Sequence, residues 1–194
     1  MRLSRLRTVI GFVCLAWVSG LAVPTVQATS YVPVSFQDLV TTADVIFVGD
    51  VLNVQPFTVA TPEGPLVKTR VTFVVRDALW GTTATLETFE FLGGEVGKLG
   101  MRVAEMPVFQ PGDRRVVFAR RGASINPIVG FTQGLMRVSR EAFGADVVQT
   151  NEGQPLARTQ DIGRPEAARL RRERAMPLST LRAQIVDALR ERRR

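Results

Sequence analysis

The sequence predicts a mainly β protein: a small antiparallel barrel with a short helix before it and a helical C-terminal extension after it. Three observations carry this expectation. Short runs of alternating or continuously apolar residues recur between turns rich in Gly and Pro, as they do in barrels and sandwiches. Apolar residues at helical spacing gather near residue 36 and again toward the end of the chain. The 194-residue chain, less an N-terminal export segment, suits one domain with an extension rather than two domains.

The first segment does not belong to the fold. Arg2, Arg5 and Arg7 precede an apolar run from Val9 to Val23, broken by Pro24 and followed by Val26-Gln27-Ala28. A basic end, an apolar stretch and a small-residue site make up a cleavable secretory signal, with the cut between Ala28 and Thr29. The rival reading is a membrane anchor, which needs roughly 20 apolar residues to span the hydrocarbon. This run has 15 and is weakened by Ser19 and Gly20. Cys14 lies too deep in the run, after bulky Val13, to be a lipidation site. The expected organisation is a signal over residues 1–28, a β domain over 29–157 and a basic extension over 158–194. Cleavage removes the single cysteine, so the exported chain is held by packing without disulfides.

The elements follow in order. Ser35 caps a short helix, Asp38 completes its capping box, and Phe36, Leu39 and Val40 face inward, with the end near Thr42 or Ala43. From Asp44 to Asn53 both alternating sets are apolar, so the strand is covered on two sides, with Gly49 at a bend or bulge. After the turn Thr61-Pro62-Glu63-Gly64-Pro65, residues Val67 to Val75 alternate cleanly, as in a half-buried antiparallel strand, and Leu79-Trp80-Gly81 ends it. Further strands are expected at Thr85–Leu92, Gly100–Glu105, Arg114–Arg120, Leu135–Ser139 and Asp146–Thr150. One short helix beside these strands suits a closed barrel of the oligonucleotide/oligosaccharide-binding (OB) kind. Pro165 opens a helix in the extension, Pro177 breaks it, and Leu178, Leu181, Ile185, Val186 and Leu189 mark an amphipathic helix over Ser179–Arg192.

Charge is uneven. Residues 29–157 hold 13 acids and 11 bases, a net −2, whereas residues 158–194 hold 11 bases and 5 acids, a net +6. The basic isoelectric point belongs to the extension, so it does not point to nucleic acid, which needs a basic face with groove-reading or stacking groups. Arg169, Arg171, Arg172 and Arg174 form a candidate contact for an anionic lipid, lipopolysaccharide, polymer or acidic partner. The competing reading packs the final helix on the barrel and leaves its arginines in solvent.

The absences bear on chemistry. The chain has no histidine and, once exported, no cysteine, which excludes Ser–His–Asp and Cys–His nucleophiles and the usual zinc ligand sets. Tyr31 is the lone tyrosine, and Lys68 and Lys98 sit in no Ser–Lys motif. Glu87 and Glu90, three apart on a regular strand, face opposite sides and cannot act as an acid/base pair, so they read as part of a solvated strand. Asp38, Asp44 and Asp50 are too scattered for a calcium loop. Phe91-Leu92-Gly93-Gly94-Glu95-Val96-Gly97 lacks the Gly-Lys-Ser/Thr ending of a phosphate loop. It reads as a hairpin or bulge, with Gly93, Gly94, Glu95 and Gly97 as a candidate ligand loop. No cofactor is expected, and the chain is not expected to be an enzyme.

Several runs resemble a widespread group of uncharacterised exported bacterial proteins: Ala43-Asp44-Val45-Ile46-Phe47-Val48-Gly49-Asp50-Val51, Thr69-Arg70-Val71-Thr72-Phe73, Leu79-Trp80-Gly81, Gly93-Gly94-Glu95-Val96-Gly97, Met106-Pro107-Val108-Phe109-Gln110-Pro111-Gly112-Asp113 and Val116-Val117-Phe118. The likeness spans about residues 30–140 and implies no activity. The opening of short helix, Ala-Asp-Val, strand and Gly also resembles the netrin-like, OB-type domains of tissue metalloproteinase inhibitors. That likeness implies a small barrel, but the N-terminal cysteine and disulfides those inhibitors depend on are missing, so no inhibitory residue carries over. The expected function is a non-catalytic binding module, periplasmic or extracellular, for a protein or polymer of the envelope or its surroundings. The alternative is a module like a protease inhibitor, using the new N-terminus near Thr29, with an enzyme third.

Overall fold

In the computed structural model, residues 32–141, 144–164 and 173–193 are described. The signal reading, including the Ala28–Thr29 cleavage site and Tyr31, lies outside them, as do Arg169, Arg171, Arg172 and most of the helix expected after Pro165. The elements run α1 (Phe36–Thr42), β1 (Val45–Thr61), β2 (Gly64–Trp80), β3 (Leu86–Leu92), β4 (Gly94–Val96), β5 (Leu99–Met101), β6 (Arg114–Ala119), β7 (Leu135–Arg140), β8 (Asp146–Gln149) and α2 (Leu178–Arg192). The protein is mainly β, with a six-stranded antiparallel sheet in the order β3-β2-β1-β6-β7-β8 and a separate β4–β5 hairpin.

The sheet is not a closed barrel among the described residues: β3 and β8 are its two ends and do not pair with each other. The chain itself takes up the edge of β8. Val148 donates to Met176 O at 3.0 Å and accepts from Leu156 N at 3.1 Å, so no place is left for β3. Antiparallel edges must be paired or covered, and here loops cover what closure would have paired.

Residues of β1 alternate between two cores. Ile46 and Val48 join Leu39, Val40, Val116, Phe118, Leu181, Ile185 and Leu189 under the two helices. Val45, Phe47 and Val51 join Val71, Phe73, Phe89, Phe91, Phe109 and Val117 on the other face. Both alternating sets are apolar because both faces are covered. Three register shifts coil the β1–β2 hairpin, between Ile46/Phe47, Val48/Gly49 and Val51/Asn53. Gly49 stands at the second shift, where a Cβ would lie 2.8 Å from the Phe47 ring and 2.9 Å from Val74 O. Leu52, whose alternation places it with Ile46 and Val48, is 54% exposed because the third shift turns it out. The strand continues beyond Asn53 to Thr61, and the turn is Pro62-Glu63.

Ser35 caps α1 through Asp38 N at 3.0 Å, as its sequence requires. α2 buries Leu181, Ile185, Ala188 and Leu189, and burying each of the larger three is worth about 1.5–3 kcal/mol. Its arginines are not all left to solvent. Arg182 pairs with Asp77 at 2.6 Å. Arg192 donates to Val40 O at 2.8 Å and Ala43 O at 3.0 Å, closing the end of α1, and lies 4.8 Å over the Trp80 ring.

Candidate functional site

Beneath the Phe-rich face the chain leaves a cleft of about 760 Å³, bounded by β1 and β2 (Val54, Thr69, Val71), the end of β3 (Phe91) and the segment Gly100–Phe109. Its floor is aromatic. Phe109 packs on Phe91 at 4.9 Å between centroids and edge-on to Phe73 at 5.7 Å, and Phe73 meets Phe47 at 5.6 Å. Its rim carries Glu95, Arg102 and Glu105. An apolar cleft with a few polar groups at its edge is the usual form of a ligand site.

The glycine loop forms one wall. Gly93 and Gly94, with φ of 99° and 134°, turn the chain from β3 into β4. Gly93 N donates to Val67 O at 2.8 Å, and Thr69 Oγ1 donates to Gly93 O at 2.7 Å. A Cβ on Gly94 would strike Thr69 Oγ1. These amides and carbonyls are thus used within the fold, and the hairpin accounts for both glycines. Gly93, Gly94 and Glu95 line the cleft. Gly97 does not: it turns β4 into β5 with open space around it. The strand expected at Gly100–Glu105 is confined to β5, and beyond Met101 the chain becomes the far wall, with Glu105 at φ 64°.

Arg115 is the site residue that sequence reading missed. Its side chain is 1% exposed on the Phe-rich face. Nη2 donates to Asp113 Oδ2 at 2.6 Å and to Val108 O at 3.4 Å, and Nη1 donates to Asn151 Oδ1 at 3.4 Å. Its guanidinium lies 5.9 Å from the Phe109 ring centroid. Arg115 thereby holds the segment that delivers Phe109 to the cleft. Two more bonds tie that segment to β1: Val51 N to Asp113 O and Gly112 N to Val51 O, each 2.8 Å. Burial pulls the Arg115 guanidinium below its ordinary value, against the opposing pull of Asp113. Alternation along Arg115, Val117 and Ala119 was the available signal, since it sets an arginine in register with two core residues.

The carboxylates weighed for catalysis are engaged elsewhere. Glu87 and Glu90 do face opposite sides, but Glu87 is buried rather than solvated, held by Arg121 at 2.9 Å, because it shares the inner face with Phe89 and Phe91. Glu90 pairs with Arg70 at 2.9 Å and Lys68 at 3.6 Å. Asp50 accepts from Arg114 Nε and Arg76 Nε at 2.7 Å each. The hydrogen bond from Arg114 is the main reason its carboxyl lies below the ordinary aspartate value, with burial opposing and Arg76 helping. Arg114 and Arg140 also reach Asp146, at 3.3 and 3.2 Å. Of the arginines proposed for an anionic surface, Arg174 is exposed on the segment before α2.

No family model, curated protein or solved structure matches this chain.

Proposed function

We propose that the protein is an exported, non-catalytic binding module that takes an apolar group of a protein or polymer into the cleft between Val54, Val71, Phe91 and Phe109. The observation that carries this reading is the aromatic-floored cleft itself, with its wall secured by buried Arg115. Holding such a wall in place before binding reduces the ordering cost of association. The ion pairs of Glu87, Glu90 and Asp50 support a binding role over acid/base chemistry, because each carboxylate already has a cationic partner. Export rests on the N-terminal basic, apolar and small-residue order. The coiled β1–β2 hairpin around the Phe cluster favours an opened relative of the OB-type and netrin-like barrels that the sequence resembles.

One experiment tests both parts. The full chain, expressed in a bacterial host, is recovered from the envelope and used to capture components of envelope and secreted fractions. The expected outcome is a mature N-terminus at Thr29 and a captured component that Met101→Glu, a charge placed on the cleft wall, no longer retains. An uncleaved product would sink export. Equal capture by Met101→Glu would sink the cleft.

A further inference from the structure

Among the described residues, the distal half of β1 has a free hydrogen-bonding edge. Gly93 N donates to Val67 O and Val75 N to Thr85 O, so the odd-numbered residues of β2 from 67 to 75 direct their backbone groups toward β3. The even-numbered residues from 66 to 72 therefore bond to β1, where their partners are Val59, Phe57, Gln55 and Asn53. Val54, Pro56, Thr58 and Ala60 then point their backbone groups away from the sheet. β6 pairs with β1 only as far as Asp50, and the segment around Gly112 covers Val51. Past that point no backbone group among the described residues meets this side of β1. Pro56 fits the geometry, since its missing N–H falls on the open side.

Other edges of the sheet are managed differently. β8 is covered by Leu156 and Met176. β3 carries Glu87 and Glu90 in ion pairs, and its Leu92 N–H is taken by Ile125 O. From Val51 to Pro62 the β1 edge carries no charge at all. Proteins usually protect an open edge with lysine or another charge, and an uncharged row of free donors and acceptors is a template for another strand.

We propose that this edge pairs with the same edge of a second copy, antiparallel about a two-fold axis at Thr58. A second copy is the occupant that the edge's own chemistry suits. In that register Phe57 lies opposite Val59 in both directions, an aromatic and β-branched pair of the favoured kind. Thr58 faces Thr58, Pro56 faces Ala60 and Val54 faces Pro62, so no like charges meet, and the ladder forgoes only the donors that Pro56 and Pro62 lack. Arg70, 4.7 Å over the Phe57 ring, already holds that side chain for the contact. The tip at Glu63 stops opposite Asn53 and so clears the Gly112 segment at Val51. A two-fold contact of this kind closes on itself and ends at the dimer.

Sedimentation equilibrium of the full chain is expected to give a dimer. Thr58 is exposed and its outward N–H meets no backbone acceptor among the described residues, so charge is tolerated there by the fold. Thr58→Lys and Thr58→Glu, each alone, place like charges across the axis and are expected to sediment as monomers with unchanged circular dichroism. Mixed together they are expected to regain the dimer mass, which a folding defect could not produce. A monomeric wild type would overturn the proposal. So would a dimer that both variants retain, or variants that stay monomeric when mixed.

Discussion

The two halves of β1 share one strand and obey opposite rules. From Val45 to Val51 the strand is paired on both sides and covered on both faces, and Val45, Ile46 and Phe47 are wholly buried. From Leu52 to Thr61 it is paired on one side, and its residues are exposed or half-buried. Apolar content alone does not separate them: Leu52, Val54, Phe57 and Val59 would pass for core in any window of the sequence. Coverage separates them. The helices and β6 reach the first half, while the second runs past them, with β2 at one edge and β4 against one face at Pro56.

The comparison can be broken most forcefully by truncating one aromatic ring in each half. Phe47→Ala removes a wholly buried ring from a cluster with Phe73 and Phe89 and is expected to cost about 3–5 kcal/mol in denaturant unfolding. Phe57→Ala, which removes a half-buried ring lying under Arg70, is expected to cost below about 1 kcal/mol. Equal losses would refute the division. Next in size is Arg115→Met at the junction, which leaves Val108 O and Asn151 Oδ1 without their donor and is expected to cost about 1–3 kcal/mol. Fluorine or proton NMR should show the Phe109 ring losing its fixed environment, while the Phe57 ring is unmoved.

The smallest effect is electrostatic and sits at Asp50, the last β1 residue paired with β6. Its carboxyl is held below the ordinary aspartate value by Arg114 and Arg76. The unfolded chain therefore takes up the proton first as pH falls. The stability from this pair is fully present above the ordinary aspartate range and is lost as pH falls below it, through the folded value. Asp50→Asn should flatten that acid limb in pH-dependent denaturation and leave the Phe47→Ala penalty unchanged. An undiminished acid limb would place the acid sensitivity elsewhere.

Much of this was legible in the residues. The cap at Ser35, the alternation of Val67, Val71 and Phe73, the turn at Pro62-Glu63 and the spacing of Leu181, Ile185 and Leu189 are local patterns, and local patterns survive in one dimension. Glu87 was not legible as a buried charge, because its partner Arg121 comes from a distant part of the chain. Arg115 has its carboxylate, Asp113, two residues away, but its burial depends on Phe109 and the other residues of the Phe-rich face. The cleft was half legible: its Gly93-Gly94 wall stood out, while the Phe109 wall depends on a loop that Arg115 holds from behind.

Residue identity and short spacing were enough for the strand and helix periods, the mainly β class, the absence of histidine and the concentration of positive charge in residues 158–194. Only the tertiary structure decided that the sheet stays open, which half of β1 is covered, and where Phe109 meets Phe91. Those outcomes depend on which distant segments reach an edge or a face first, and backbone groups covered by one segment are no longer free to pair with another.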